Sequence, residues 1–260
     1  MSIGDAEIKT QERVIRFFKD PEILGYQYIG NLSDYQNKNI KEDRLRQYLR
    51  LKGYADKLID AAIMQLQQEA GNLSRGVYDA NKTVYSRLKY GIPVSESPEK
   101  PPVTVQLVDE EKPLNNDFAI AEEVTVVEQS EKRPDLVVYL NGIAVAVIEL
   151  KRSSISVSEG IRQNLTNQKN SFIQSFFTTM QFCMAGNESE GLRYGTLLTG
   201  EKFYMEWKDD GFKEHEEERD PVDVRISKTC EGIENKLLKQ IYAMFDKERF
   251  IDLIMNFVVF

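Results

Sequence analysis

The stretch "RPDLVVYLNGIAVAVIELKRSS", residues 133–154, decides the fold of this chain. Residues 135–140 and 143–150 are apolar runs of strand length, and Asn141-Gly142 between them is a strong signal for a two-residue hairpin turn. Charged residues nevertheless stand at the open end of this hairpin. Burying a charge is costly unless it has a partner, so these residues are candidates for a functional site.

Strand alternation fixes which of the charged side chains can meet. Glu149 and Lys151 are two residues apart and therefore face the same side of their strand. With a regular two-residue turn, Asp135 lies opposite Ile148 and points to the other side. Bringing Asp135 and Glu149 together requires a β-bulge, a longer loop or a bend at Pro134. A site at this end of the hairpin therefore predicts one of these irregularities.

The charged residues form a pattern that suits a divalent cation. Two converging carboxylates, Asp135 and Glu149, can hold Mg²⁺ together with water and phosphate oxygens, and the backbone carbonyl of Leu150 can add a further ligand. Lys151 can orient a water or offset charge on a phosphate. The alternative is a structural ion pair between Lys151 and one of the two carboxylates.

Composition excludes several other kinds of site. The 260 residues contain one histidine, His215 in an acidic run, and two distant cysteines, Cys183 and Cys230, which we interpret as reduced structural thiols. A zinc site and histidine-based acid–base catalysis are not expected. The net charge of −8 gives no general attraction for nucleic acid. No membrane span or signal peptide is predicted, which favours an intracellular protein.

The N-terminal hundred residues have helical periodicity. Helices are predicted over residues 5–20, over 40–70 with a break near Gly53, and over 79–91 with Asp79 as N-cap and Gly91 as the stop. Basic residues outnumber acidic ones around residues 38–57, which we interpret as a solvated helix face. The proline-rich segment 94–104 is predicted to be a surface connection.

The periodicity changes after that connection. Strands are predicted over 104–109 and 118–127, ahead of the hairpin. A long helix, capped by Ser158, is predicted from 158 to 185. The segments "RYGTLLTG" and "KFYMEWK" read as a strand pair, and 232–257 as helical. The chain ends in the apolar run "NFVVF", which favours a fragment of a longer polypeptide, although a strand within the sheet would give the same pattern.

These segments resemble a known family. The hairpin sequence is similar to the PD-(D/E)xK nuclease core, and more narrowly to the N-terminal endonuclease domain of the R (restriction and translocation) subunit of type I restriction enzymes. The resemblance runs from about Tyr35 to the end and includes "YDANKTVYSRLKYGIPV", "NNDFAIAEEVTV", "GIRQNLTNQKNSFIQSFFTTMQFCMAGNESEGLRYGTLLT" and "FIDLIMNFVVF".

The resemblance implies roles for individual residues. Asp135 and Glu149 become the metal-binding carboxylates and Lys151 the catalytic lysine, with Mg²⁺ as cofactor. Gln163 matches the glutamine of the family's Gln-x-x-x-Tyr motif, and Asn167 stands at its tyrosine position, which is a departure from the family pattern. Gln163 and Arg152 are expected to support the site or contact DNA. An additional N-terminal carboxylate is expected from Glu12, or else from Glu42.

The resemblance also implies a fold, an activity and partners. We expect an α/β restriction-endonuclease-like core over residues 101–260, with a central mixed sheet flanked by helices, and an N-terminal helical region over 1–100. The implied activity is Mg²⁺-dependent hydrolysis of double-stranded DNA in a cytoplasmic bacterial or archaeal complex. Modification and specificity subunits would be partners, and ATP would be used only by a motor outside this chain.

Two alternatives to a nuclease stay open. In the first, the same fold is a non-catalytic docking module between motor and partner subunits, and the charged residues are an ion pair. In the second, the chain binds RNA or single strands, for which "FYMEW" (203–207) offers aromatic residues in an acidic neighbourhood.

Overall fold

The fold is α/β, built on a mixed six-stranded sheet. The computed structural model describes residues 3–97, 99–208, 220–258 and 260. The strands are β1 (Gln27–Asn31), β2 (Ile92–Val94), β3 (Val103–Val105), β4 (Phe118–Glu122), β5 (Val126–Val127), β6 (Glu131–Lys132), β7 (Leu136–Leu140), β8 (Ile143–Leu150), β9 (Phe182–Asn187) and β10 (Gly191–Gly195).

Eight α-helices flank these strands within the described residues. They are α1 (Ile3–Lys19), α2 (Glu42–Leu51), α3 (Asp56–Gly71), α4 (Val77–Tyr90), α5 (Val157–Asn167), α6 (Pro221–Glu231), α7 (Lys236–Phe245) and α8 (Lys247–Asp252). Short 3₁₀ turns cover Pro113–Asn115, Gln174–Thr179 and Glu201–Phe203, and a π-helical turn covers Leu253–Phe257. The prediction of a central mixed sheet flanked by helices is confirmed.

The main sheet has the strand order β1-β4-β7-β8-β9-β10. β1 pairs with β4 and β8 with β9 in parallel, and the other neighbours are antiparallel. The β7–β8 hairpin therefore occupies the centre of the sheet. All residues of both strands are buried.

The hairpin has the predicted turn and also a bulge. Asn141 and Gly142 both have positive φ, 52° and 82°, as the two central residues of a type I′ turn do. A side chain on Gly142 would approach the backbone of Leu45 and Lys41 to 2.7 Å, so glycine is required there. The pairing between β7 and β8 shifts by one residue at a point five residues from the open end of the hairpin. Tyr139 lies opposite Ala144, but Val138 lies opposite Ala146. Val145 is the extra residue.

The bulge is visible in the packing of β8. Side chains of a regular strand alternate between the two faces of a sheet, but Val145 and Ala146 both belong to the larger core cluster on one face. Beyond them the alternation resumes, with Val147 on the opposite face. Every residue from Ala146 to Leu150 is therefore on the face opposite to the one that a regular hairpin would give it.

The larger core cluster contains side chains from both predicted regions, residues 1–100 and residues 101–260. It contains side chains of α1 to α4, of the central strands and of α6 to α8. β1, which belongs to the first hundred residues, is an edge strand of the main sheet, and β2 pairs with β3 across the proline-rich connection. The division at residue 100 remains a prediction, and the N-terminal region contributes strands as well as helices.

Some predicted elements differ from the observed ones. The helix predicted over 158–185 ends at Asn167, and residues 182–187 form β9, hydrogen-bonded on both sides within the sheet. A short buried apolar run has no polar face, so its periodicity does not distinguish a strand from a helix. The predicted pairing of β10 with the segment "KFYMEWK" is also not formed. β10 pairs with β9 instead, and only an isolated bridge, Tyr194 to Met205, joins it to that segment.

The predicted helix boundaries are partly confirmed. The break near Gly53 lies between α2 and α3, and Gly91, with φ of 73°, follows α4. The predicted caps Asp79 and Ser158 are wrong: Gly76 precedes α4, and Ser156 caps α5 by accepting a hydrogen bond from the Ser158 N–H. The strand predicted over 118–127 is divided between β4 and β5 at Glu123, whose φ is +51°.

The basic region around residues 38–57 is largely neutralised by ion pairs. Arg44 pairs with Asp117, Arg46 with Glu42 and Asp60, Arg50 with Asp56, and Lys52 with Asp109. This agrees with the interpretation of a solvated helix face. None of the helices in the described residues is long and apolar enough to cross a membrane.

Candidate active site

The bulge in β8 brings two carboxylates to one side of the sheet. The observed register places Leu136 opposite Ile148, so Asp135 and Glu149 stand opposite each other at the open end of the hairpin. The irregularity that a site at this end requires is therefore present in the structure. Asp135 Oδ2 accepts a hydrogen bond of 2.7 Å from the Leu150 N–H, which holds the Asp135 carboxylate against β8.

Lys151 directs its ammonium group toward these carboxylates. Its Nζ lies 4.0 Å from Asp135 Oδ2, 3.3 Å from Glu7 Oε1 and 3.0 Å from the carbonyl oxygen of Leu150. Burial lowers the pKa of Lys151, but the surrounding carboxylates outweigh that effect and its pKa is raised above the usual value. Lys151 is therefore protonated at neutral pH and acts as a cationic hydrogen-bond donor.

Glu149 is completely buried and only half satisfied. Its Oε2 accepts a hydrogen bond of 2.6 Å from Gln163 Nε2, whereas its Oε1 has no hydrogen-bond partner among the described residues. Buried carboxylate oxygens are normally satisfied, so an orphaned oxygen facing a second carboxylate indicates a position for a cation.

Helix α5 lies close enough to β8 to support this carboxylate. A side chain on Gly160 would meet Ala185 Cβ at 2.9 Å and Glu149 Cβ at 3.4 Å, so the absence of one allows the close packing. Asn164, one turn further on, donates a hydrogen bond of 2.8 Å to the carbonyl of Met184 in β9. These contacts place Gln163 over Glu149.

The pKa values of the two carboxylates, Asp135 and Glu149, are strongly perturbed. Burial raises the pKa of Asp135 to about 6, although Lys151 and the Leu150 N–H act in the opposite direction. Burial also raises the pKa of Glu149 well above its usual range, and the facing Asp135 carboxylate raises it further. Without a cation, the pair therefore holds a proton more tightly than two exposed carboxylates would. Such perturbed groups, clustered beside residues that line a cleft, are typical of functional sites.

The N-terminal carboxylate at the site is Glu7, which the sequence reasoning missed. Glu12 lies five residues later on α1, so its side chain is rotated by about 140° from that of Glu7 and is exposed. Glu42 is on α2, where it pairs with Arg46. The N-terminal carboxylate next to the candidate site is therefore Glu7, and the expected residues Glu12 and Glu42 lie elsewhere.

A sequence signal for Glu7 did exist. The buried positions Gln11, Val14 and Phe18 follow Glu7 by four, seven and eleven residues, which is the spacing of one helix face. Gln11 also contacts residues close to the site. Its Nε2 donates hydrogen bonds of 3.0 Å to the side chains of Glu122 and Glu123. The sequence signal for Glu7 is therefore a charged residue on the buried face of a helix.

An open cleft of about 380 Å³ leads to Lys151 and Gln163. Its wall on α5 includes Thr166 and Asn167, the residue at the family's tyrosine position. Asn167 is buried, and its carbonyl accepts a hydrogen bond from the Ile173 N–H. Arg152 is half-buried next to Lys151, and its carbonyl accepts a hydrogen bond from the Ile155 N–H.

The residues present fit a magnesium ion. The donor set is Asp135, the unpartnered Oε1 of Glu149 and the carbonyl of Leu150, all oxygen atoms, and Mg²⁺ binds one or two carboxylates while keeping several waters. Across the described part of the chain, no group of three or more His, Cys, Asp or Glu side chains is arranged to hold a metal. The candidate set thus consists of two side chains and one backbone oxygen.

The other candidate residues from the sequence are not part of this cluster. Cys183 and Cys230 are both buried and neither is in a disulfide with a described residue. His215 lies outside the described residues. Phe203 and Met205 of the "FYMEW" segment are exposed, while Trp207 packs against the larger core cluster.

Comparison with known families adds to this geometry. The model of the family described as "Type I restriction enzyme R protein N terminus" matches residues 7–203. The matched region begins at Glu7 and contains every residue of the cluster described above. A comparison with curated proteins finds no match.

Proposed function

The chain belongs to the family of type I restriction enzyme R protein N termini, and from this premise we propose that it is the Mg²⁺-dependent endonuclease domain of such a protein. Its reaction would be hydrolysis of phosphodiester bonds in double-stranded DNA. The observation that carries the proposal is the convergence of Asp135, Glu149 and Lys151 at the open end of the central hairpin, which the bulge in β8 makes possible.

The burial of these groups supports a catalytic role over a purely structural one. A fully buried carboxylate with an unsatisfied oxygen destabilises a fold, and a structural ion pair would normally satisfy it. Here Lys151 Nζ approaches Asp135 and Glu7, while no donor side chain of the described residues reaches Glu149 Oε1, and Glu149 has the Asp135 carboxyl as its neighbour. Strain of this kind is retained where a ligand relieves it.

The proposed roles follow from the positions of the groups. Asp135, Glu149 and the Leu150 carbonyl would hold the cation, which when bound would lower the pKa of a water ligand and offset charge on the phosphate. Gln163 fixes the orientation of Glu149 through its 2.6 Å hydrogen bond. Lys151, protonated at neutral pH, would leave Glu7 and donate to a phosphate oxygen or to the attacking water.

We also propose the setting in which the domain works. A type I R protein implies a complex with DNA and with other subunits, for which we propose the modification and specificity subunits of a bacterial or archaeal cytoplasm. ATP would be consumed by a motor domain outside the elements described here. Selection of the target sequence would then belong to the partners, which is compatible with the net charge of −8.

A docking module is the second candidate function. The observation that favours it is the contact of Lys151 with Glu7 on α1, which ties an N-terminal helix to the central sheet as a structural ion pair would. In that case the fold would hold motor and partner subunits together, and cleavage would occur elsewhere.

Cleavage of circular DNA by the assembled complex, with ATP and Mg²⁺, separates the two functions. Asp135→Ala and Lys151→Ala should each lower the cleavage rate by at least about 100-fold, while assembly and ATP hydrolysis persist. Glu12→Ala is the matched control and should cleave normally, since Glu12 is exposed on the same helix as Glu7. Unchanged cleavage by Asp135→Ala and Lys151→Ala would reject the nuclease and favour the docking module.

A further inference from the structure

Lys132 lines the cleft beside the candidate site and has no role in the mechanism above. The cleft is lined by Lys132, by Lys151 and by residues of α5, among them Glu159 and Gln163. Lys132 belongs to β6 and precedes Asp135 by only three residues, so the main chain links it directly to the carboxylate pair.

The position of Lys132 is well defined by its surroundings. β6 pairs with β5 through Lys132 and the buried Val126. The Lys132 ammonium lies 4.8 Å from the centre of the Phe172 ring, a cation–π contact, and the Phe172 carbonyl accepts a hydrogen bond of 3.2 Å from the Gln129 N–H. The turn between β5 and β6 and the segment after α5 are thus held together, and the lysine is held at the cleft.

Within the part of the chain that the structure describes, Lys132 differs from the other cations of the cleft in having no carboxylate partner. Arg162 is neutralised by Glu159 and Glu201, with N–O distances of 2.8 Å to each. Lys151 faces Asp135 and Glu7. Among the described residues, no ion pair involves Lys132. Its positive charge is therefore available to a ligand that enters the cleft.

We propose that Lys132 binds a backbone phosphate of the DNA strand next to the phosphate that is cleaved. The inference rests on the proposed nuclease function and adds to it a substrate subsite. A strand that reaches Lys151 through this cleft also meets Lys132, Gln163 and Thr166, which line it. A phosphodiester supplies one negative charge per nucleotide, and an ammonium that is held on an aromatic face and in no ion pair with a described residue can bind that charge. Such a contact reads no base, so it positions the strand irrespective of sequence.

The test compares two variants with the same change in net charge. Lys132→Gln and Lys112→Gln each remove one positive charge, and Lys112 is exposed at the 3₁₀ turn Pro113–Asn115, away from the cleft. Binding of a short duplex to the full chain, with Ca²⁺ in place of Mg²⁺, is followed by fluorescence anisotropy over a series of NaCl concentrations. Circular dichroism checks that both variants are folded.

Lys132→Gln should bind the duplex several-fold more weakly than wild type at low salt and should reduce the slope of log affinity against log salt by about one. Lys112→Gln should match wild type, and Lys132→Arg should restore binding. The proposal is overturned if Lys132→Gln and Lys112→Gln behave alike, or if the wild-type chain shows no salt-dependent binding.

A second readout separates this proposal from the proposed function. In the assembled complex, Lys132→Gln should raise KM for DNA and leave kcat largely unchanged, whereas Asp135→Ala should abolish cleavage. If Asp135→Ala abolishes cleavage but Lys132→Gln leaves both affinity and KM as in wild type, the subsite alone is rejected. If Asp135→Ala cleaves normally, the nuclease function is rejected, whatever Lys132 does.

Discussion

At the scale of single residues, the energetics centre on Glu149. A glutamate has a pKa of about 4.3 in an unfolded chain, but burial and Asp135 raise the pKa of Glu149 well above its usual range in the fold. The fold therefore favours the protonated form of Glu149, and keeping this carboxylate ionised inside the fold costs free energy. The site is thus a source of instability that a bound cation would remove, because a cation replaces the proton.

Replacing Glu149 by glutamine should therefore stabilise the cation-free protein. Glu149→Gln keeps the shape of the side chain and an acceptor for Gln163, and it removes the need for the proton. We expect the free energy of unfolding at pH 7 in EDTA to rise, measured by urea denaturation, because the folded chain no longer holds a buried carboxylate with a raised pKa. The control Glu12→Gln, at an exposed position, should change it by less than about 0.5 kcal/mol. A loss of stability in Glu149→Gln would mean that the carboxylate is well compensated in the fold.

The pH dependence of stability provides a test of Asp135. Its pKa is about 6 in the fold and about 3.9 in an unfolded chain, so the folded state binds more protons between these values and stability falls as pH rises through them. Relative to Asp135→Asn, the wild-type free energy of unfolding in EDTA should decrease by about 3 kcal/mol in total, about 2 kcal/mol of it between pH 4 and pH 6, and should level off above about pH 7. A difference that is independent of pH would contradict the perturbed pKa of Asp135.

At the scale of elements, the bulge of β8 and the close approach of α5 build the site. The bulge turns Glu149 to the face of Asp135, and Gly160 lets α5 reach β8 so that Gln163 contacts Glu149. Neither β7, β8 nor α5 would form the cluster alone. The arrangement depends on one extra residue in a strand and one missing side chain in a helix.

A side chain at Gly160 should damage the site. In Gly160→Ala the new Cβ would meet Ala185 Cβ at 2.9 Å, so α5 must move away from the sheet and Gln163 must withdraw from Glu149. We expect a loss of about 1–3 kcal/mol in the free energy of unfolding and a lower cleavage rate.

Gly71→Ala is the matched control for this helix variant. Gly71 is the last residue of α3, and a Cβ there would have nothing within 4 Å. Because alanine is the better helix former, the control should be unchanged or more stable by up to about 1 kcal/mol. Equal effects of the two substitutions in urea denaturation would show that the packing of α5 on β8 is not tight.

The sequence predicted these elements unevenly. The turn at Asn141-Gly142 was predictable because both residues tolerate positive φ. That Asp135 and Glu149 could meet only through an irregularity was also predictable, but the position of the extra residue at Val145 was not, because the apolar run of β8 looks the same with any register. β9 was mistaken for helix for a related reason: its six buried residues carry no polar face.

At the scale of the whole molecule, tertiary contacts determine which residues meet at the site, because the local sequence does not specify them. Glu7 comes from α1, Asp135 and Glu149 from the central hairpin, and Gln163 from α5, so the cluster exists only when the N-terminal helix packs on the sheet. Asp135, Glu149, Lys151 and Gln163 were all named from sequence, helped by the family resemblance. Glu7 was missed because the approach of α1 to the hairpin is a long-range contact.

The central claim is that the carboxylate pair created by the bulge binds a divalent cation. Calorimetric titration of the chain with Mn²⁺ or Mg²⁺ tests it most directly, in two buffers with different heats of ionisation and with Asp135→Ala alongside. We predict weak binding to wild type that releases protons, because the cation displaces the proton of the pair, and loss of that binding in a folded Asp135→Ala. Equal binding by both proteins, or none by wild type, would contradict the claim.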